Sequence, residues 1–451
     1  MKKETLQSCC SDTSGFDLIV SALLFLFILL ANCIELLTRP VGFITIMLGL
    51  ICFKTYGRYY GSLINAKGIL STSWMVSIGL SLIRIHPDQI EWSLMTILCI
   101  SVALPLFMFG YNTYFHFQQF HRRKYTTGSY SEIDSDAFRF VLLIWCLLVA
   151  SGLGADCIYS KSLPVFGESQ SAYMSFGMPY VHYLTVSCCF LPSLYFCYLK
   201  SAQLKISNDK SLFAFVSFCS IVPLLIVSRQ LMLLELILFT MTYFIFGGKE
   251  NLITLGKICA LILGVLVLWT FLSSFRNQST AYLASVFNLP LTTSKNEMSF
   301  WQLYLYISFN FDNFNYLISN LNQFSFGVNT AFPLLVLTAS KSMVPSDLLS
   351  TSGLMLLPTF NTYPFITPAY RDFGLLGVVL YSFFIGYFSC CIEMKARTLN
   401  NPFIHLGYYL VLYSLAISFF VSEFAQPVFW IYVLLLFAAD LLVRSVYRRN
   451  G

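Results

Sequence analysis

Charge is scarce in this chain: 27 Lys and Arg and 21 Asp and Glu make up only 11% of its 451 residues. Soluble domains usually carry about 25%, so a water-soluble globular protein is excluded. Histidine is rarer still, with five in all, and no two histidines show zinc-ligand spacing. No Asp-rich calcium loop appears, and the basic cluster after His121 lacks a Gly-rich phosphate cradle, so no metal and no other cofactor is expected. The 14 cysteines fall mostly inside apolar runs, as in Cys188-Cys189 and Cys390-Cys391, which implies no disulfide framework. Cys9-Cys10 read either as lipidated or as incidental thiols. There is no internal repeat and no low-complexity tract.

What the chain has instead is apolar length, with 57% hydrophobic and 17% aromatic residues. Runs able to cross a hydrocarbon core of ~30 Å are read at approximately 17–37, 40–54, 69–85, 93–112, 138–156, 179–199, 211–228, 231–247, 255–274, 374–393, 402–421 and 426–443. The expectation is an all-α polytopic membrane protein with about 12 transmembrane helices. It is read as one integral membrane domain, 1–451, whose first span is uncleaved because no small-residue cleavage site follows the Lys-Lys start.

Orientation follows from Lys and Arg, which are retained on the cytoplasmic side of short loops. With the N-terminus inside, nineteen of the 27 fall on the cytoplasmic side, from Lys2 and Lys54 through Lys67 and Arg122 to Arg449. Only Arg39, Arg84, Lys161, Arg229, Arg276, Lys295, Lys341 and Arg371 fall outside. Both termini are therefore expected in the cytoplasm. This bias also explains the net charge of +6, so no nucleic-acid partner is required.

One stretch of about 100 residues, 275–373, interrupts the spans and is read as a long external loop. Inside it Phe311, Phe314, Ile318 and Leu321 keep the spacing of one helical face, with Asp312, Asn315, Ser319 and Asn322 beside them. That pattern predicts an amphipathic helix lying along the membrane surface. The aromatic and Asn-rich stretch from Trp301 to Phe326 reads as an interfacial belt, with sugar stacking as an addition. Pro345, Pro358, Pro364 and Pro368 predict irregular backbone after it.

Arg229 occupies a very short turn between two apolar runs, which fixes its depth near the outer interface. A guanidinium there either makes paired hydrogen bonds to phosphate oxygens or snorkels to lipid headgroups. Arg276 and Arg371 flank the long loop, and if the three converge they suit a pyrophosphate; otherwise they are separate headgroup anchors. Asp372 either pairs with Arg371 or accepts a proton from a sugar hydroxyl. His182, at the outer end of the sixth run, is the best-placed imidazole, and His86 is a second; a lone His in this setting is either a hydrogen-bonded structural residue, the commoner case, or a functional one. Glu235 is the one carboxylate well inside a run and either supports Arg229 or is held within the bundle.

Taken with the span pattern, Leu163-Pro164-Val165-Phe166 before a Gly-containing return, Ser228-Arg229 opening a Leu-rich run, and Asp372-Phe373-Gly374 followed by Gly377 resemble the bacterial oligosaccharide repeat-unit polymerases, the Wzy-type O-antigen polymerase family. The resemblance implies an inverting, metal-independent glycosyltransferase of the C-type membrane fold in the bacterial inner membrane. Such a protein moves a growing glycan from undecaprenyl pyrophosphate to the non-reducing end of a lipid-linked repeat unit at the periplasmic face. It implies lipid-linked oligosaccharides, membrane lipid and a polysaccharide chain-length regulator as partners. His182, Glu168 or Asp372 would then be the base, and Arg229, Arg276 and Arg371 the pyrophosphate ligands. An O-antigen ligase shares these features, whereas a flippase or other transporter would need more polar residues along its spans.

Overall fold

The computed structural model describes residues 3–121, 134–167, 175–247, 279–351, 353–357, 360, 362–399 and 401–450. Among them the regular structure is helical, and seven helices are long and apolar enough to cross a membrane: Thr13–Cys33, Glu35–Tyr60, Ala66–Ile83, Leu94–Phe120, Ser135–Ser160, Thr367–Thr398 and Pro427–Ser445. Leu18, Phe43, Phe384 and Phe437 on four of these helices are exposed, as side chains facing lipid would be. The chain is a polytopic, all-helical membrane protein.

The remaining apolar runs are shorter or broken. The sixth run divides into α6 (His182–Val186), a 3-10 turn and α7 (Leu191–Ser201), with Pro192 just inside the second piece. The seventh divides into α8 (Lys210–Ser220) and α9 (Val222–Leu225), with Pro223 at the junction. A proline has no N–H to give to the preceding turn, so each break falls where the sequence places one. The eighth run is α10 (Arg229–Gly247), and the ninth lies outside the described residues.

The chain forms two compact units. The first contains Met1–Tyr125, Thr280–Lys395 and Ser414–Trp430; the second contains Thr126–Ser279, Ala396–Tyr413 and Ile431–Gly451. In the first, α1 (Lys3–Cys33), α2 (Thr38–Tyr60), α3 (Ala66–Ile83) and α4 (Leu94–His121) pack together. Helices in lipid gain little from burying apolar surface, so close backbone approach between small residues does more of the work. At the α2–α3 crossing a Cβ on Gly42 would stand 2.6 Å from the Gly79 carbonyl oxygen. A Cβ on Gly110 of α4 would collide with the Phe383 carbonyl, and one on Gly386 with the Phe107 carbonyl.

Where α1 to α4 approach the far end from the long segment, Lys67 is fully buried. Its Nζ lies 2.6 Å from Asp17 Oδ2 and donates to Asn112 Oδ1 at 2.6 Å, while the Tyr56 hydroxyl donates to Asp17 Oδ1 at 2.6 Å. A buried ion pair holds only when its remaining lone pairs and protons are also matched, and here Asn112 and Tyr56 supply the match.

The long segment is not a loose loop. It contributes α11 (Thr280–Val286), α12 (Lys295–Ser308) and α13 (Asn310–Asn320), and builds a core from Leu283, Phe287, Met298, Leu305, Phe309 and Phe360. Helix α12 opens on a capping box in which Ser294 and Glu297 satisfy each other's backbone N–H.

Helix α13 appears where the periodicity placed it, but protein covers its polar side as well as its apolar one. Phe311 and Phe314 are buried, and so are Asp312, Asn313 and Asn315 on the polar side. The polar side is taken up by the α3–α4 hairpin. Ser81 Oγ, Gln89 Nε2 and Trp92 Nε1 donate to Asp312 at 3.1, 3.1 and 3.0 Å, and Thr96 Oγ1 donates to Asn315 at 2.7 Å. Burial pushes the Asp312 carboxyl up to about 6, against the opposing pull of these donors and of the Arg84 charge. Much of the expected aromatic belt is core as well: Tyr304, Phe309, Phe311 and Phe314 are buried, while Phe324 and Phe326 remain exposed.

Candidate functional site

In the second unit, α5 (Ser135–Ser160) carries Asp156 in its last turns, and the chain returns to it at the start of α6. Asp156 is fully buried and takes three hydrogen bonds: from His182 Nδ1 at 2.8 Å, from the Met178 N–H at 2.8 Å and from Thr185 Oγ1 at 2.7 Å. The return depends on Gly177, whose φ of +112° suits glycine and whose missing Cβ would stand 2.6 Å from the His182 ring. The buried Phe176 ring meets the imidazole edge-on at 5.8 Å.

With Nδ1–H directed at the carboxylate, Nε2 is the lone-pair nitrogen, and it has no hydrogen-bond partner among the described residues. The His182 side chain is about one third exposed, at 32%. A buried carboxylate behind an imidazole whose outer nitrogen is open is an arrangement for removing a proton from a hydroxyl.

The same unit holds Arg229. The short α9 packs against α6 and against the turn Pro164–Phe166, and it leads directly through Ser228 into α10, which Arg229 opens. Val227 has a positive φ of 53°, and the Ser228 N–H donates to the Pro223 carbonyl at 3.1 Å, so the turn is tightly wound. Arg229 is buried. The three sequence features quoted above for this unit, at 163–166, 182 and 228–229, thus come from elements that touch one another.

Arg371 and Asp372 belong to the first unit, on α14 (Thr367–Thr398). Asp372 is fully buried and accepts from Ser325 Oγ at 2.6 Å, from both nitrogens of Asn329 at 3.0 and 3.1 Å, and from the N–H and hydroxyl of Thr330, each at 2.7 Å. Its oxygens are engaged in holding the 325–330 turn against α14. Immediately after it, Phe373 and Gly374 leave helical geometry, with φ/ψ of +59°/−143° at the glycine, and a Cβ on Gly377 would collide with the Ala369 carbonyl. The Asp-Phe-Gly signature is therefore a kink with its anchor.

Arg371 Nη2 donates to the carbonyls of Leu348 at 2.9 Å and Ser350 at 2.7 Å, whereas its buried Nε has no partner among the described residues. The guanidinium lines a cavity of about 360 Å³ together with Asn320, Asn322, Gln323, Asp347 and Ser350. One cation, one carboxylate and three carboxamides make a lining suited to a neutral polyol.

Of the six residues singled out in sequence, Glu168 and Arg276 lie outside the described residues. The structure places His182 and Arg229 in one unit, and Arg371 and Asp372 in the other. Asp156 was missed as the partner of His182. So was Asp312, quoted only as part of a helical face. Among the described residues no group of three or more His, Cys, Asp or Glu could hold a metal ion. The fold and site define a multi-pass helical membrane protein with a buried Asp156 paired to a partly exposed His182 at one end of a helix pair. Comparison with protein families, with curated proteins and with solved structures finds no match to the chain.

Proposed function

We propose that the protein is an inverting, metal-independent glycosyltransferase that joins oligosaccharide repeat units carried on undecaprenyl pyrophosphate, at the periplasmic face of a bacterial inner membrane. The observation that carries this reading is the Asp156–His182 pair with Nε2 unengaged. His182 Nε2 takes the proton from the acceptor hydroxyl as its oxygen attacks the anomeric carbon of the donor glycan. The bond from that carbon to the pyrophosphate breaks on the opposite side, and the pyrophosphate leaves on its lipid. Asp156 fixes the tautomer and stabilises the imidazolium that forms. Arg229 neutralises charge gathering on the leaving pyrophosphate, a stabilisation felt most in the transition state. Asp372 serves the architecture of the 325–330 turn, and the Arg371 cavity suits sugar hydroxyls, so this reading leaves Arg371 out of the pyrophosphate site. The count of about 12 spans, the C-type glycosyltransferase fold and the cytoplasmic termini belong to the same proposal.

The test is an electrophoretic profile of surface glycan from cells lacking the protein, complemented with wild type, His182→Ala, Asp156→Asn or Arg229→Ala at matched expression. Polymerisation requires that wild type restores a ladder and that deletion leaves core carrying a single repeat unit. Bare core with polymer still on its lipid carrier would make the protein a ligase. Bare core without polymer would point to export.

A further inference from the structure

A second, independent site lies in the first unit, where the α1–α2 and α3–α4 connections meet. These connections join four of the membrane-length helices, so the site sits at the boundary between apolar and aqueous surroundings. A cleft of about 1110 Å³ opens there, lined by Glu35, Leu36, Arg39, Arg84, Ile90 and Glu91. Two cations and two carboxylates thus face one space. Glu35, Arg39 and Glu91 are exposed, and their side chains form no hydrogen bond or ion pair among the described residues. Arg84 is half-buried, held in the left-handed region at φ 51°, and uses Nη2 on Asn32 Oδ1 at 2.6 Å. Leu36, Ile90 and Leu94 add exposed apolar surface beside these charges.

A charge at a membrane boundary costs little in water, but two of each sign lining one cleft, with exposed apolar side chains beside them, suit a ligand with both signs. A polyanion would meet Glu35 and Glu91, and a simple cation would meet Arg39 and Arg84. We propose that this cleft binds the headgroup of a bilayer phospholipid carrying a phosphate and a primary ammonium. The phosphate lies between Arg39 and Arg84, where guanidinium donors match its oxygens. The ammonium gives its N–H donors to Glu35 and Glu91. The acyl chains run along the apolar surface that Leu36 and Leu94 expose. A quaternary ammonium has no N–H to give and binds less well.

The cleft adjoins the seat of the long segment. Gln89, which donates to Asp312, and His86, whose Nε2 lies 2.9 Å from the Phe287 carbonyl, also line it. A lipid held there therefore braces α11 and α13 through the α3–α4 hairpin.

The test uses the full chain in detergent, titrated separately with phosphatidylethanolamine, phosphatidylglycerol and phosphatidylcholine. Bound lipid is read by native mass spectrometry and the thermal midpoint by scanning fluorimetry. Phosphatidylethanolamine is expected to be retained at least fivefold better than either other lipid and to raise the midpoint. The double variant Glu35→Gln/Glu91→Gln is expected to shift the preference to phosphatidylglycerol, and Arg39→Ala to weaken both. These three residues are exposed, and the lipid-free midpoint of each variant checks its folding. Equal retention of the three lipids by wild type, a wild-type preference for phosphatidylglycerol, or an unchanged preference in the double variant overturns the proposal. So does equally tight binding of glycerophosphoethanolamine, which would remove the bilayer lipid as the occupant.

Discussion

An imidazole is a directed base only when one nitrogen is already committed, and Asp156 commits Nδ1 of His182. Asp156→Asn keeps the shape of the pair but offers an amide where the carboxylate stood, so the tautomer is no longer fixed. We expect both His182→Ala and Asp156→Asn to lower glycan transfer by about 100-fold or more, without loss of folded protein for the second. Purified variants assayed with lipid-linked repeat units check this, and near-normal turnover by either one would remove the pair from the chemistry. His182 was legible in sequence from its depth at the end of an apolar run. Its partner was not, because 26 residues separate them and no local spacing joins them. Lys67 illustrates the opposite difficulty. Its sequence position marks it as a cytoplasmic anchor, but the fold neutralises it with Asp17, a pairing that spans 50 residues.

Among the elements, α13 is the most informative. Its periodicity was legible and its amphipathic pattern correct, yet a stripe of Asp and Asn looks the same in sequence whether water or another helix satisfies it. The α3–α4 hairpin makes the difference, through Ser81, Gln89, Trp92 and Thr96. The Asp312 carboxyl rises from 3.8 to about 6 in the folded chain. Between those values the folded chain keeps a proton that the unfolded chain has released, so stability falls as pH rises through that window and stays lower above it. The size is at most on the order of 3 kcal/mol. The thermal midpoint in detergent should decline across this window in wild type and be flatter in Asp312→Asn; identical slopes would show that Asp312 does not titrate there. A second element-scale expectation concerns the α4–α14 crossing. Gly110→Leu or Gly386→Leu places a side chain against a facing carbonyl. Overpacking of this kind costs about 1–3 kcal/mol or more, and folded protein recovered from membranes should fall sharply, whereas Gly154→Ala, which meets open space, should leave recovery unchanged.

For the whole molecule, the multi-pass helical class was legible from composition and apolar length alone. Span boundaries were less so: the second run, read as 40–54, belongs to a helix running Thr38–Tyr60, because charged Lys54 and Arg58 continue it beyond the apolar stretch. Reporter fusions test the proposed orientation. A phosphatase joined after Lys341 should be active outside the membrane, and a fluorescent protein at the C-terminus should fold inside; the reverse pattern would invert the topology and remove the periplasmic reading of the long segment.

The seat of α13 also has a meaning during synthesis. The α3–α4 hairpin leaves the ribosome long before residues 310–320 do. Until they arrive, Ser81, Gln89 and Trp92 lack the carboxylate they are built around. Chains that stop short of Asn310 therefore leave open a polar groove that finished chains conceal.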